Sequence, residues 1–303
     1  MPLSIKYDIF TNNKFDYPFR IFISGSSQSG KTCFAGKLLN HGEIFKKKVK
    51  SVRYYHPDYL SHSPVDWHNE LDISVTYQSG LPNLAELCDI EPDTCLVIDD
   101  LYEESVNSQA IDYLFRVLSG KKSLSVMILS QRYFSQGKFG MNIRNNCNFT
   151  VLLRNVDAKL NARVASLMNL KQSISAAIKD TYDNNYYPYI FIDSSPRGQV
   201  SGYRVYTNIF DRYQIGYTNR GMKAYIIGEK DFLRYFSIIN KNSAEYNHGC
   251  NTHDVVKDAE KEKSKITTER PDKSYHTQRG YSKSTLGQRA KIIRNRRKAR
   301  KNI

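Results

Sequence analysis

Eight consecutive residues of the chain have the types and the spacing of a phosphate-binding loop. They are Gly25, Ser26, Ser27, Gln28, Ser29, Gly30, Lys31 and Thr32. Glycines let the backbone wrap around phosphate groups with its N–H groups pointing inward, and a helix that starts there directs its positive dipole end at the anion. In this pattern Lys31 contacts the β- and γ-phosphates and Thr32 gives its hydroxyl to Mg²⁺. The loop predicts a site for Mg²⁺ and a nucleoside triphosphate.

Two adjacent carboxylates, Asp99 and Asp100, follow an apolar run further along the chain. An acid at the carboxyl end of a buried strand is placed to hold the hydration shell of Mg²⁺, which predicts that role for Asp99. Asp100 is then predicted to polarise the attacking water as the general base. Aspartate is one methylene shorter than glutamate, so Glu103 and Glu104 are alternatives for the base. Two acids at a strand end are also typical of a solvated turn or a helix cap.

Gln131 ends the next apolar run. The expected order of the strands places its side-chain amide near the γ-phosphate, where an amide can sense the phosphate or orient the attacking water. A polar residue that merely ends a strand is the alternative interpretation. Its predicted role therefore depends on the loop and on the two carboxylates.

The segments around these groups predict strands and helices that position them. Residues 19–24 are rich in β-branched and aromatic residues and predict a strand, and a helix is predicted from Lys31 onward. The apolar runs 94–99 and 124–130 are typical of strands covered on both faces of a parallel sheet. A strand before the loop and a helix after it favour phosphate binding over an ordinary Gly/Ser turn.

The rest of the chain continues the alternation of strands and helices. Further strands are predicted at 52–55, 73–77, 149–154, 189–193 and 203–206, and further helices at 111–118, 160–168 and 173–178. The pattern predicts an α/β protein of the P-loop NTPase class, with a doubly wound, mostly parallel sheet flanked by helices. The predicted domains are an N-terminal extension (1–17), an ATPase domain (18–240) and a low-complexity, strongly basic tail (241–303), which is expected to be disordered.

The charge of the chain predicts a polyanionic partner. The chain has 303 residues and a formal net charge of +15. Eleven Lys or Arg residues follow Asp272, with no Asp or Glu among them, so most of the excess charge lies at the carboxyl terminus. Nucleic acid is the first expected partner of such a chain, and an anionic membrane surface is the second.

The cysteines and the apolar runs predict a chain that is soluble and not secreted. The cysteines are odd in number and scattered, which argues against a disulfide framework: Cys33, Cys88, Cys95, Cys147 and Cys250. No run reaches the roughly 18 apolar residues that a membrane span needs, and the amino terminus lacks a signal-peptide pattern. His248, Cys250 and His253 could supply three Zn²⁺ ligands, but a closed site needs a fourth, so no zinc site is predicted.

Several motifs together carry a resemblance to a known family. The phosphate-binding loop, the strand that ends in two aspartates, and Ser130 and Gln131 followed by Tyr133 and Phe134 resemble the genome-packaging ATPases of the FtsK-HerA class. In particular, they resemble the poxvirus-type packaging ATPases of large DNA viruses and of adintovirus or Maverick/Polinton-type elements. Further matching positions are Gly80, Leu81, Pro82, Lys138, Phe139, Arg144 and Asn146, and the segments 187–193 and 204–210. The resemblance covers residues 19–210.

This resemblance implies an ATP-driven motor that translocates double-stranded viral DNA into a preformed capsid. It implies ATP and Mg²⁺ as cofactors, a homo-oligomeric ring, and the capsid or its portal vertex as a partner, with no membrane. It also implies action in the host cell, in the nucleus or a cytoplasmic viral factory, and transiently at the capsid. In that setting the basic run 289–301 is predicted to grip DNA, to direct nuclear import or to bind an acidic capsid surface, and the alternative is a solvated run that aids solubility.

In such rings an arginine from one subunit usually completes the neighbour's site, because the charge of the transition state needs an outside cation. Relatives often carry Gly-Arg-His before the strand that ends in glutamine, whereas this chain has Gly120, Lys121 and Lys122. The candidates for this catalytic cation are Arg144, Arg116 and Lys121, in that order.

Two other classes of function remain open from the residues. One is a nucleotide-dependent binding switch or a helicase-like DNA-remodelling factor that does not package DNA. The other is a small kinase, which typically adds a lid of clustered arginines over its nucleotide. No arginine-dense lid is visible in the body of this sequence, which favours the first of these two alternatives.

Overall fold

The computed structural model describes residues 7–10, 14–57, 67–154, 158–182, 187–211 and 214–228. Its strands are β1 (Tyr7–Phe10), β2 (Arg20–Ser24), β3 (Ser51–His56), β4 (Ser74–Ser79), β5 (Thr94–Asp99), β6 (Ser125–Ser130), β7 (Phe149–Leu153), β8 (Tyr189–Asp193), β9 (Tyr203–Thr207), β10 (Gln214–Thr218) and β11 (Lys223–Gly228). Its helices are α1 (Lys31–Asn40), α2 (Trp67–Glu70), α3 (Leu84–Asp89), α4 (Tyr102–Ser105), α5 (Gln109–Tyr113), α6 (Ser119–Lys121), α7 (Gly140–Asn146), α8 (Ala158–Leu167), α9 (Lys171–Thr181) and α10 (Pro196–Ser201). A 3₁₀ turn (Gly42–Ile44) follows α1, and a π-helical turn (Leu114–Leu118) joins α5 to α6.

The strands form one 11-stranded sheet in the order β1-β11-β10-β9-β8-β7-β2-β6-β5-β3-β4. Six neighbouring strands run parallel to one another: β7, β2, β6, β5, β3 and β4. From β7 the sheet continues antiparallel through β8, β9, β10 and β11, and β1 lies parallel to β11 at the edge. Parallel strands need crossover connections, which the intervening helices supply. This topology confirms the predicted α/β class with a mostly parallel sheet.

Apolar side chains fill two cores, one on each face of the parallel strands. In β2, Ile21 and Ile23 pack in the same core as Phe34 of α1, whereas Phe22 packs in the other core. Successive strand residues point to opposite faces, so this split follows from the two-residue period of a strand. Burial on both faces explains why β5 and β6 are continuous apolar runs, and confirms both as buried strands.

Most predicted elements are present, and the differences lie where the apolar pattern is weak. All predicted strands occur within two residues of their expected bounds. The sequence did not indicate the strands β1, β10 and β11 or the helices α2, α3, α4, α6, α7 and α10, all of which are short. Residues 111–118, predicted as one helix, are divided between α5 and the π-helical turn.

The predicted N-terminal extension contributes to the sheet and to its core. β1 pairs with β11, and Phe15 is fully buried with ring centroids 5.6 Å from Phe149 and 4.7 Å from Phe191. The predicted tail 241–303 lies outside the described residues, and with it the basic run 289–301 and the residues His248, Cys250 and His253, for which no zinc site was predicted. The proposed domain boundaries therefore stay predictions.

The described cysteines are free thiols: Cys33, Cys88, Cys95 and Cys147. Burial raises the pKa of the Cys147 thiol to about 12 and also raises that of Cys95, so both stay protonated and unreactive. Cys33 and Cys88 are exposed. In the described part of the chain, no helix combines the length and the apolar character needed to cross a membrane.

Asp93 ties together several segments at the amino-terminal edge of the parallel strands. Its carboxylate accepts hydrogen bonds from Lys47 at 2.6 Å, Lys50 at 3.0 Å and the Tyr17 hydroxyl at 3.2 Å. Its backbone N–H donates to the Ser123 carbonyl at 3.1 Å, just before β6. The hydrogen bond from Lys47, reinforced by Lys50, lowers the pKa of the Asp93 carboxyl below its ordinary value.

Replacing Asp93 by asparagine is expected to lower the free energy of unfolding by about 1 kcal/mol at neutral pH. Asparagine keeps the shape and tolerates the positive φ of 66° at this position, so the change removes the charge and one of the two acceptor oxygens. Because the pKa of Asp93 is lower in the folded than in the unfolded chain, its contribution is complete above the unfolded pKa of about 3.9 and is lost as pH falls through the folded value.

Urea unfolding at a series of pH values tests this expectation. The difference between wild type and Asp93→Asn should shrink as pH falls below about 4, where the carboxylate becomes protonated in both states. The matched variant Asp89→Asn removes an exposed charge at the end of α3 and should leave the unfolding midpoint unchanged at every pH. A difference for Asp93→Asn that is independent of pH would contradict an ionic origin.

Candidate active site

The carboxyl ends of the parallel strands bring the predicted site residues together. Ser24 of β2 pairs with Ser130 of β6, and Leu129 of β6 pairs with Asp99 of β5. The N–H of Gly25 donates to the carbonyl of Ser130 at 3.2 Å, which fixes the start of the phosphate-binding loop against β6. The loop, the Asp99 carboxylate and the residue after β6 consequently lie side by side at one edge of the sheet.

The phosphate-binding loop, residues 25–32, connects β2 to α1 and needs its two glycines for different reasons. Gly30 has a φ of 89°, in the left-handed region that favours glycine, and is the residue from which α1 begins. A Cβ at Gly25 would lie 2.9 Å from the Cβ of Leu153 in β7, so only glycine fits beside that strand. Gln28 also has a positive φ, of 61°, within the loop. The loop thus has the backbone form that the sequence pattern predicts.

The Lys31 ammonium lies over the loop that precedes it. Its Nζ donates to the carbonyl oxygens of Gly25 and Ser26 at 3.1 and 3.0 Å. Burial lowers the pKa of Lys31, and the negative charges of Asp99 and Asp100 oppose that shift. A cation that is partly removed from water attracts an anion more strongly than an exposed cation does. The position of Lys31 is therefore suited to phosphate.

Asp99 is held by two hydroxyl groups from separate elements. Its Oδ2 accepts from the Thr32 hydroxyl of α1 at 3.4 Å and makes a short hydrogen bond with the buried Tyr54 hydroxyl of β3. Burial is the largest influence on Asp99 and raises the pKa of its carboxyl, while the bonds from Tyr54 and Thr32 lower it. Burial and the charge of Asp99 raise the pKa of Tyr54, so Tyr54 remains a donor.

This donor set fits Mg²⁺. Thr32 Oγ1 and Asp99 Oδ2 are two hard oxygen ligands 3.4 Å apart, one at the end of the loop and one at the end of β5. Mg²⁺ prefers oxygen ligands and is usually bound through one or two protein groups together with water and substrate phosphates. Thr32 and Asp99 would hold the ion, as the sequence predicts, and Tyr54 fixes the orientation of the carboxylate.

Asp100 and Gln131 border the same cleft as the loop. Asp100 is exposed and has a φ of 57°, and its N–H donates to the Leu129 carbonyl at 3.2 Å, so its backbone is anchored to β6. The cleft has a volume of about 220 Å³, and Gln131 is exposed at its border. The residues that line it are Ser27, Gln28, Lys31, Thr32, His56, Pro57, Asp99, Asp100 and Gln131. The structure thus brings the predicted acid, base and amide to one cleft.

Two residues that line the cleft, His56 and Pro57, were not predicted from the sequence as site residues. His56 ends β3 beside the end of β5 and is 7% exposed, with its Nδ1 3.0 Å from the carbonyl oxygen of Pro57. A carbonyl oxygen only accepts, so the proton in that bond belongs to Nδ1. The strand-end rule that indicated Asp99 and Gln131 could also have indicated His56, because parallel strands end at the same edge of a sheet.

The two alternative bases lie away from the cleft-lining set. Glu103 accepts hydrogen bonds from Ser135 at 2.9 Å and from Arg132 at 3.5 Å, and it belongs with Glu104 to the first turn of α4. Neither residue lines the cleft. Asp100 is therefore the better-placed candidate for the general base.

The chain has structural neighbours among packaging NTPases. Neither a protein family nor a curated protein matches its sequence. It is similar to the genome packaging NTPase of Sulfolobus turreted icosahedral virus 2 in complex with AMP, with 12% identity over 58% of this chain and 92% of the other, at a TM-score of 0.39. It is similar to the DNA-packaging ATPase of Sulfolobus turreted icosahedral virus, with 12% identity over 61% and 94% and a TM-score of 0.39. It is also similar to the ATPase DotB of Legionella pneumophila, with 12% identity over 60% and 48% and a TM-score of 0.33.

At TM-scores of 0.39 and below, these similarities carry no argument about this chain. Its function has to be argued from its own residues.

The candidates for the catalytic cation lie outside the cleft of their own chain. Arg144 of α7 donates to the Tyr102 hydroxyl at 2.9 Å and lies 5.4 Å from the ring centroid of Phe134. Arg116 forms an ion pair of 2.8 Å with the buried Asp112, and Lys121 is exposed at the end of α6. Arg144 would have to leave its contacts to reach a neighbouring subunit, and its role as catalytic cation stays a prediction.

Cys33 provides a chemical reporter for the site, because it is exposed and directly follows Thr32 in the first turn of α1. Mg-ATP at about ten times its Kd is expected to slow alkylation of Cys33 by N-ethylmaleimide about tenfold. Mass spectrometry of the peptides measures this, with Cys88 as the internal control: it is exposed on α3, and its labelling should not change. Equal labelling of Cys33 with and without Mg-ATP would contradict a bound nucleotide that covers the first turn of α1.

Proposed function

We propose that this chain is a Mg²⁺-dependent ATPase that drives double-stranded DNA into a preformed capsid. One observation supports the hydrolytic part of the proposal above the others: Lys31, Thr32, Asp99, Asp100 and Gln131 border a single cleft of about 220 Å³. Phosphoryl transfer from a nucleotide needs a cationic phosphate holder, oxygen ligands for Mg²⁺ and a group that activates water, all within reach of one phosphorus atom. The cleft contains each of these groups.

In the proposed mechanism, the backbone N–H groups of the loop and the Lys31 ammonium bind the β- and γ-phosphates. Thr32 and Asp99 would hold Mg²⁺, which would neutralise charge that develops on the phosphate oxygens. Tyr54 keeps the Asp99 carboxylate in place through their hydrogen bond. These residues bind and orient the triphosphate before hydrolysis.

Asp100 and Gln131 act on the attacking water. Asp100 accepts a proton from the water, whose oxygen forms a bond to the γ-phosphorus. The bond between the γ-phosphorus and the bridging oxygen breaks, so that ADP leaves with the electron pair and inorganic phosphate is formed. Gln131 orients the water through its side-chain amide, because it borders the cleft beside Asp100. Asp99 would be engaged in holding Mg²⁺, so Asp100 is the acid that remains to accept the proton.

DNA as the transported polymer is supported by the resemblance of the motifs and by the net charge of +15. A chain that binds DNA phosphates through Lys and Arg releases counterions, so its affinity for DNA falls steeply with salt and depends little on sequence. A packaging motor needs this kind of contact, since it must move along any genome sequence. The basic run 289–301 is the proposed contributor.

The proposal also includes a homo-oligomeric ring and a site of action. A ring surrounds the DNA and allows a cation from one subunit to complete the site of the next. The capsid or its portal vertex is the proposed docking partner, and the host-cell nucleus or a cytoplasmic viral factory is the proposed location. The resemblance supports each of these points.

Native mass spectrometry of the full chain with linear double-stranded DNA and a non-hydrolysable ATP analogue tests the motor. We expect closed rings on DNA in the mass spectra. In a second assay, with a DNA triplex and with ATP in place of the analogue, we expect the protein to displace the third strand. A chain that binds ATP but stays monomeric under every condition, and does not displace the strand, would instead be a nucleotide-dependent switch. That result would contradict translocation and leave nucleotide binding intact.

A further inference from the structure

The position of the cleft among the strands determines how a bound nucleoside triphosphate is oriented. The strand order places β7 and β8 on one side of β2, and β6 and β5, which end beside Gln131 and Asp99, on the other side. In the proposed function the loop wraps the phosphates, with the γ-phosphate beside Asp99 and Gln131. The nucleoside then extends from the loop toward the side of β7 and β8.

One aromatic ring lies against Gly30. A Cβ at Gly30 would be 3.3 Å from Cδ1 and 3.8 Å from Cε1 of Tyr187, so the ring packs onto the glycine. Tyr187 is nevertheless 61% exposed. Its side chain is thus accessible to solvent beside the last glycine of the phosphate-binding loop.

Rigid elements hold this ring in place. Tyr187 lies two residues before Tyr189, the first residue of β8. The Tyr189 ring packs on Phe34 of α1 with 4.8 Å between centroids, and its hydroxyl accepts from the N–H of Ile209 at 2.9 Å. The packing of Tyr189 on α1 therefore holds the start of β8, two residues after Tyr187, against the helix that follows the loop.

We infer that Tyr187 is a binding residue for the base of the nucleotide, which stacks on its ring. This inference rests on the proposed function, because it takes the loop to hold the triphosphate. Every nucleobase has a π-face, so stacking on tyrosine binds purine nucleotides as a class and does not depend on their hydrogen-bonding edges. ATP and GTP both gain affinity from Tyr187, and inorganic tripolyphosphate gains none.

The test compares three ligands on four proteins. Calorimetry with Mg²⁺ measures the Kd of ATP, GTP and tripolyphosphate for wild type, Tyr187→Ala, Tyr187→Phe and Met222→Ala. Removing the ring is expected to weaken ATP and GTP about tenfold and to leave tripolyphosphate unchanged. Tyr187→Phe keeps the ring and should bind like wild type. Met222→Ala removes a side chain of similar exposure, 57%, from the turn before β11, and should also bind like wild type.

The outcomes distinguish a failure of the stacking assignment from a failure of the proposed function. If Tyr187→Ala binds ATP as wild type does, the stacking assignment is overturned. If it weakens tripolyphosphate as much as ATP, Tyr187 supports Gly30 and does not contact the base, which also overturns the assignment. If the folded wild type binds neither ATP nor tripolyphosphate, the proposed function itself fails, and this result is distinct from the other two.

Discussion

Lys31→Ala is expected to reduce the kcat of ATP hydrolysis at least about 10³-fold. The ammonium is held within the loop by two backbone carbonyls, at 3.1 Å from Gly25 and 3.0 Å from Ser26, so its charge lies where the phosphates bind. Among the described residues that line the cleft, Lys31 is the only lysine or arginine, and alanine removes its charge. The negative charge that develops on the phosphate oxygens in the transition state is then no longer stabilised by the Lys31 ammonium.

Phosphate release under saturating Mg-ATP measures this loss. Lys37→Ala is the matched control, since Lys37 lies on the same helix, is exposed, and has its Nζ 4.7 Å from the ring centroid of Phe210, away from the cleft. That variant should keep the wild-type rate within about twofold, as expected of a surface change far from the reacting atoms. Equal losses in the two variants would indicate damage to α1 instead of a role in phosphate binding.

Asp99→Asn is expected to lower kcat about 10²- to 10³-fold and to raise the concentration of Mg²⁺ needed for half-maximal activity. Asparagine keeps the shape of the side chain but lacks the charge that attracts the ion. Burial raises the pKa of Asp99, which means that the ionised carboxylate is unfavourable in the ligand-free fold. With the folded pKa above the unfolded value, its ionisation costs stability as pH rises, so the asparagine variant should be at least as stable as wild type at neutral pH.

Tyr54→Phe provides a graded comparison with Asp99→Asn. It removes only the hydroxyl that holds Oδ2 of Asp99, so about a tenfold loss of activity with a modest rise in the Mg²⁺ requirement is expected. Titration of activity with Mg²⁺, together with thermal unfolding, separates loss of metal binding from loss of fold. A wild-type Mg²⁺ dependence in both variants would contradict a metal-holding role for Asp99.

The sequence was sufficient to predict the parts of the site that belong to strong local patterns. The loop has a fixed spacing, and Asp99 and Gln131 each end an apolar run that was recognisable as a buried strand. Parallel strands place their carboxyl ends at one edge, so these groups could be expected to meet without knowledge of any long-range contact.

Tyr54 and Tyr187 could not be assigned in the same way. Tyr54 reaches Asp99 because β3 lies beside β5, a pairing of distant segments that a single sequence does not reveal. Tyr187 reaches Gly30 because β8 packs on α1 through Tyr189 and Phe34. These contacts depend on the packing of separate elements, whereas the loop depends on adjacent residues.

The antiparallel part of the sheet was predicted only in part. β8 and β9 have enough β-branched and aromatic residues to be recognised as strands. In β10, Gly216 lies in the centre of the strand and weakens the local strand pattern. A side chain at Gly216 would lie 2.9 Å from Cδ1 of Tyr203 in β9, so the glycine serves close packing between strands. A glycine that weakens the local strand pattern can therefore be required by the sheet itself.

Steady-state hydrolysis of Mg-ATP with and without linear double-stranded DNA tests the central claim most directly. Wild type is expected to hydrolyse ATP slowly alone and several-fold faster with DNA, with the stimulation falling as salt rises because the contacts are to phosphates. Lys31→Ala should show neither basal nor stimulated hydrolysis. Undiminished hydrolysis by Lys31→Ala would contradict the assignment of the cleft as the active site, and a wild-type rate that does not respond to DNA would contradict the proposed coupling.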